Sequence, residues 1–368
     1  MGYPITIVLL MLLKNILAAT PEENMPRSKC VMEDGRDGVC VPNYQCNIDN
    51  TVNEQAFIDL RFRSCPQVFE VCCLQTEFVA PTPPTPAAMP TCGWSNSGAL
   101  GIREKPFLIG SAEYAEFPWM VAILKTTAPV GGWSQPDYLG GGSIIHPSVV
   151  ITAAHKVDGF YENEVKCRAG EYDTSTEDED FLPQERQVAK FITHDDFFRI
   201  QAYFDVALLV LKEPFTFQGQ PHVGVACLGR RLPPPGTRCY ATGWGKGSDL
   251  NYTSILKKID LPLIDSDKCQ HTLRNTRLGS RFLLHPSLIC AGGVKGVDTC
   301  IGDGGSPLVC NIGDPKNGVR YAIFGIVSSG VGCGVRNVPG VYVNVPYIYS
   351  WVLEKMNEEK LESKYFSY

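Results

Sequence analysis

Two residues stand where side chains could relay a proton. His155 closes Thr152-Ala153-Ala154-His155, directly after the apolar run Val149-Val150-Ile151, and Asp205 opens Asp205-Val206-Ala207-Leu208-Leu209-Val210. Serine hydrolysis needs a nucleophile, a base to take its proton and a buried acid that fixes the base's tautomer; a histidine and an aspartate would supply the last two. Taken singly, either residue is more often a satisfied polar group than a catalytic one. A second cluster is acidic. Glu171, Asp173, Glu177, Asp178, Glu179, Asp180 and Glu185 fall within 171–185, and such hard oxygen donors form either a solvated loop or a site for a cation such as calcium. Asn251-Tyr252-Thr253 is the sole glycosylation sequon, which places Asn251 on an exposed loop.

Those residues must be held by something, and the cysteines say what kind of chain holds them. There are 15 in 368 residues. The apolar run Ile5 to Leu13, followed by Leu17-Ala18-Ala19, suits a signal peptide over 1–19 and is too short to span a bilayer. Behind such a leader, cysteines at this density form a disulfide framework; zinc binding is disfavoured because no Cys-x-x-Cys pair exists. The resulting expectation is a secreted, extracellular protein with no membrane span. Its formal charge of −6 lacks a basic block, which excludes nucleic acid as a partner on electrostatic grounds.

Cys30, Cys40, Cys46, Cys65, Cys72 and Cys73 crowd into 30–73, a segment too small to bury a core without cross-links. The stretch 74–105 contains Ala80-Pro81-Thr82-Pro83-Pro84-Thr85-Pro86, a semi-rigid spacer. From 106 to 355 the chain consists of short β-rich runs broken by Gly and Pro, such as Ser143-Ile144-Ile145 and Ile323-Phe324-Gly325-Ile326-Val327. That pattern predicts an all-β barrel or sandwich. Only Ile348–Leu361 shows a helical period, leading into a C-terminal tail over 356–368.

The region 106–355 resembles the chymotrypsin-like serine proteases. Gly141-Gly142-Ser143-Ile144-Ile145, Thr152–His155, Asp205–Leu209, Cys239-Tyr240-Ala241-Thr242-Gly243-Trp244-Gly245, Ile289-Cys290-Ala291-Gly292 and Pro339-Gly340-Val341-Tyr342 carry the likeness, in order. It implies an all-β double barrel with the site in the cleft between the barrels. The family's nucleophile motif, Gly-Asp-Ser-Gly-Gly-Pro, reads Gly302-Asp303-Gly304-Gly305-Ser306-Pro307 here. The implied triad is therefore degenerate: His155, Asp205 and Gly304. Losing a serine nucleophile costs about a million-fold in turnover, so a pseudo-protease is expected, with a slow protease using Ser306 as the alternative. An Arg/Lys-Ile-Val-Gly-Gly activation junction is also missing near Lys105-Pro106, which predicts that no new amine forms to pair with Asp303. Gly140 and Lys156 stand where the family places a bridged cysteine pair, and Ser329 where it places a tryptophan. Asp298, Gly330 and Gly340 match a substrate pocket for Arg or Lys side chains.

Resemblance further implies the bridges Cys239–Cys310, Cys269–Cys290, Cys300–Cys333 and Cys92–Cys227, leaving Cys167 odd and either free or intermolecular. The six-cysteine module resembles a clip domain, implying Cys30–Cys72, Cys40–Cys65 and Cys46–Cys73; spacing alone leaves that connectivity open. In the related proteases a calcium loop lies near Glu171 and Glu185, while no cofactor is implied as required. Clip domain, spacer and glycine together resemble the non-catalytic clip-domain serine protease homologues, in particular masquerade-like prophenoloxidase-activating cofactors. They imply a haemolymph protein cut by an upstream clip protease, at Arg61 or alternatively Arg63 or Arg103, that assists prophenoloxidase activation in melanisation. Prophenoloxidase and clip proteases are the implied partners, with a homo-oligomer possible after cleavage; recognition of a microbial surface is the competing reading.

Overall fold

The computed structural model describes residues 28–31, 37–42, 65, 70–74, 92–96, 110–129, 133, 135–176, 179, 181–246, 251–296, 298–313 and 319–368. The chain divides into two units, Met1–Ala87 and Ala88–Tyr368. In the first, β1 (Lys29–Val31), β2 (Asp37–Pro42) and β3 (Glu70–Leu74) form an antiparallel sheet in the order β1-β2-β3. Cys30–Cys72 and Cys40–Cys65 bridge it. Cys30, Cys40 and Cys65 are themselves the buried cluster of this unit's described residues, so covalent links stand in for an apolar core. Cys46, the expected partner of Cys73, lies outside the described residues, as do Arg61, Arg63 and Arg103.

The second unit is two barrels. β4 (Met120–Lys125), β5 (Tyr138–His146), β6 (Val149–Thr152), β7 (Val165–Ala169), β8 (Gln184–Thr193) and β9 (Ala207–Leu211) close in the order β4-β5-β6-β9-β8-β7. β10 (Cys227–Leu228), β11 (Arg238–Gly243), β12 (Lys257–Ile264), β13 (Leu288–Gly292), β14 (Pro307–Asn311), β15 (Tyr321–Ser329) and β16 (Pro339–Asn344) form the other sheet. Pairing of β15 with β16 closes its last six strands, and β10 lies parallel to β15 outside them. Closure leaves almost no open sheet edge. One buried cluster runs through both barrels, from Ile144, Ile151 and Leu208 to Ala241, Leu308 and Ile323.

Cys239–Cys310 joins residues facing each other across β11 and β14. Cys269–Cys290, Cys300–Cys333 and Cys92–Cys227 complete the bridges of this unit among the described residues. The expectation of a single helical segment is corrected by α1 (Ser266–Arg274). It is a short helix whose N-cap Asp265 accepts hydrogen bonds from the backbone N–H of Asp267 and Lys268. The C-terminal helix α2 runs Val345–Glu358 and not Ile348–Leu361, because Asn344 caps it by accepting from Tyr347 N–H, with a proline in the first turn.

Cys167 sits on β7, fully buried and unpaired, and burial pushes its thiol up. Of the two fates open to it, the intermolecular bridge has no route to the surface. Iodoacetamide is expected to leave it unmodified in the folded protein and to label it once guanidinium unfolds the barrel. Labelling of the native chain at a rate near that of a free thiol would contradict this placement.

Candidate active-site cleft

β6 ends in a short 3-10 turn, Ala154–Lys156, that turns His155 into the cleft, while Asp205 lies just ahead of β9, the strand paired with β6. Asp205 is 1% exposed. Its Oδ2 accepts from His155 Nδ1 at 2.7 Å and from the Ser328 hydroxyl at 2.5 Å, and its Oδ1 accepts the His155 backbone N–H at 2.9 Å. The acid therefore holds the imidazole by ring and backbone together and directs Nε2 outward.

Nε2 faces Gly304. A Cβ built on that glycine would lie 2.9 Å from His155 Nε2 and 2.7 Å from Lys156 Cε. Lys156 fills the gap between the barrels: its chain also crowds the Cβ position of Gly140, whose neighbour Gly141 donates its N–H to the Gly304 carbonyl at 3.0 Å. Lys156 thus puts the end of an aliphatic chain where a side chain on residue 304 would stand. Burial lowers the affinity of that amine for its proton, with the charges of Asp205 and Asp303 opposing. Ser306 is fully buried against Gly141 and Gly243, and no hydrogen bond joins its hydroxyl to His155. The strand must pass so close that a side chain at Gly141 would overlap Ser306.

Asp303 carries a finding that sequence reasoning missed. The lost activation junction predicted a carboxylate with no amine to hold it. In the structure the Lys257 Nζ donates to Asp303 Oδ2 at 2.8 Å and to the Lys246 carbonyl at 2.9 Å. Gly245 N–H and Cys300 N–H complete the shell of Asp303, each at 2.9 Å. Both partners of the ion pair are buried, 9% and 1% exposed. A lysine at the start of an inward-facing strand was the one available signal, and it is silent until pairing of Lys257 with Gly243 aims the side chain at the turn.

Asp298 lies under Gly340, whose Cβ would stand 3.1 Å from its Oδ1. Oδ2 accepts the Gly334 N–H at 3.1 Å; Oδ1 is buried without a partner. Burial pushes this carboxyl up to about 6, against the backbone hydrogen bonds that lower it. Gly330 is exposed. A carboxylate oxygen buried without a partner is costly, and a cationic or hydrogen-bonding group placed against it would relieve that cost.

The acidic segment is arranged differently. Arg168 Nε donates to Glu171 at 2.7 Å and its Nη1 to Glu185 at 3.2 Å, while Lys166 Nζ donates to the other oxygen of Glu185 at 3.0 Å. Glu179 accepts the N–H groups of Tyr172 and Asp173, and burial beside Glu171 pushes it up to about 8. Arg168 thus stands between Glu171 and Glu185, while the second oxygen of Glu179 is buried without a hydrogen bond among the described residues. Asn251 is exposed, and no helix of the described residues is long and apolar enough to cross a membrane.

Residues 109–352 match the family model described as Trypsin, and residues 27–74 match the one described as Serine protease Clip domain PPAF-2. The chain is 44% identical over 301 residues to Phenoloxidase-activating factor 2 of Galleria mellonella, covering 79% of this chain and 97% of that one. It is 36% identical over 363 residues to Inactive CLIP domain-containing serine protease A28 of Anopheles gambiae, 89% and 91% covered. Inactive CLIP domain-containing serine protease A8 of the same mosquito is 36% identical over 335 residues, 86% and 87% covered.

Proposed function

Because the chain belongs to the trypsin-like serine protease family and carries that family's clip domain, we propose that it is a secreted, non-catalytic cofactor of phenoloxidase activation. The observation that carries this reading is Gly304 facing His155 Nε2, with Lys156 in the space a nucleophile would need. Base and acid are in place, yet no oxygen stands where the base could activate it. The names of the relatives, a phenoloxidase-activating factor and two inactive clip proteases, support the same role.

In this reading the protein is glycosylated at Asn251 and works outside the cell, in haemolymph. An upstream clip protease cuts it after Arg61, with Arg63 and Arg103 as the other positions. The cut chain then assembles with copies of itself and assists the enzyme that converts prophenoloxidase. Reconstitution tests this: prophenoloxidase and its cleaving protease, with and without the cut protein. Phenoloxidase activity should rise several-fold on addition, and an unchanged activity would defeat the proposal. N-terminal sequencing of the large fragment after reduction locates the cut, Phe62 or Ser64 for the clip loop and Glu104 for the linker.

The cleft under this proposal binds and does not cut. Asp298 must be ionised to hold an arginine-like cation, so affinity is complete above its pKa of about 6 and falls as pH drops through it. Benzamidinium titrated by fluorescence should lose about tenfold in affinity for each pH unit below 6. A flat profile from pH 7 to 4.5 would remove Asp298 from the site.

A further inference from the structure

We infer that the cleft is a receptor for a peptide chain that ends in arginine or lysine, with its free terminal carboxylate held by Lys156 where the nucleophile once stood. The inference rests on reading the cleft as a binding site and adds what that site selects. Its first half is the Asp298 pocket, with one buried oxygen unpaired. Its second half lies at Gly304. The lysine's Cε is 2.7 Å from the missing Cβ and closer still to that of Gly140, so the amine lies one bond beyond an atom held between the two glycines. No hydrogen bond or ion pair holds that amine among the described residues.

The neighbouring acids have hydrogen-bond donors of their own: Asp303 accepts from Lys257 and two N–H groups, and Asp205 from the ring and backbone of His155 and from Ser328. Around the turn, the N–H groups of Asp303, Gly305 and Ser306 go to the carbonyls of Cys300, Val327 and Asp303. Among the described residues, those of Gly302 and Gly304 have no backbone acceptor. The last carbon of the lysine and an imidazole nitrogen thus both lie within 3 Å of the Cβ position of Gly304, at 2.7 and 2.9 Å, so an ammonium and a ring nitrogen meet where the nucleophile of the family stands. Converging donors of this kind are matched by an anion, and a carboxylate offers two acceptor oxygens.

A chain that continued past the arginine would present a neutral amide there and would have to pass the lysine side chain filling the space toward Gly140. A chain that stops would present a carboxylate to an unpaired ammonium. Termini of this type are what a trypsin-like cut leaves behind, so the fitting partner is a protein already cleaved after Arg or Lys.

Isothermal titration of the full disulfide-bonded chain decides this with four peptides: acetyl-Gly-Gly-Arg as the acid, its C-terminal amide, acetyl-Gly-Gly-Arg-Gly, and acetyl-Gly-Gly-norleucine acid. The arginine acid should bind at least about 10-fold more tightly than the amide or the extended peptide, the scale of one charge-assisted hydrogen bond. Lys156→Met should abolish that preference while leaving the amide's affinity in place, and Lys156→Arg should keep it. Acid and amide binding alike, or a preference that survives Lys156→Met, would overturn the inference while the pocket stands. Arginine and norleucine acids binding alike would remove the pocket and the inference together.

Discussion

Lys257→Met is expected to lower stability by about 3–5 kcal/mol, the cost of leaving a buried charge without its partner. For a domain of this size that corresponds to a fall of roughly 10 °C in the unfolding midpoint. Asp303 keeps two N–H donors in the variant but loses the ammonium 2.8 Å away. Its carboxylate shapes the turn from Cys300 to Ser306, and Cys300 in turn ties that turn to Cys333 beside the Asp298 pocket. Benzamidinium affinity should therefore fall with stability in Lys257→Met, by 10-fold or more, and Lys257→Arg should retain most of both. Calorimetry and fluorescence titration of the uncut chain provide the two readings. If the midpoint and the affinity are both unchanged in Lys257→Met, the ammonium does not organise the turn. The same argument makes uncut and cut protein equal in benzamidinium affinity, because the cation that proteolysis would otherwise supply is part of the chain.

The second expectation concerns what restoring the nucleophile would do. Gly304→Ser alone should give no more than trace turnover of an arginine ester, since its Cβ would meet Lys156 Cε at 2.7 Å and His155 Nε2 at 2.9 Å. The serine must displace one of them, and an angstrom of misplacement costs about 100-fold. Gly304→Ser with Lys156→Ala removes the obstructing chain and should exceed the single variant by about 100-fold, because His155, Asp205 and the turn held by Lys257 are already aligned. Exchanging Ser306 for Gly is not required, as Ser306 packs against Gly141 and Gly243 and away from this route. Equal rates in the single and double variants would show that Lys156 is not the obstacle, and turnover by the wild-type chain would contradict its reading as non-catalytic. Active-site titration with a fluorophosphonate separates the two cases by counting reactive serines.

How much of this was legible beforehand follows from the range of the interactions concerned. His155 and Asp205 each sit at the end of an apolar strand, a local signal that survives in one dimension. The glycine in Gly302-Asp303-Gly304-Gly305 is visible in the same way, since a missing side chain needs no partner to be noticed. The all-β fold was readable too, from short β-branched runs and the turn residues between them. Helix α1 was not: it is nine residues long, and a capping aspartate with tertiary packing makes it, not a long periodic face. The roles of three basic residues were hidden for a stronger reason. Lys156, Lys257 and Arg168 look like ordinary surface charges in the chain, yet each enters a polar cluster through strand register or barrel contact. Lys257 meets Asp303 across 46 positions, Arg168 lies between Glu171 and Glu185, and Lys156 reaches Gly304 from the opposite barrel. Residue identity alone put Gly304 where the family motif has serine and left no Arg/Lys-Ile-Val-Gly-Gly near Lys105-Pro106. Where the substituted cations go was decided only by the closing of the barrels, because a charge's partner depends on distance in space and low local dielectric, neither of which sequence spacing encodes.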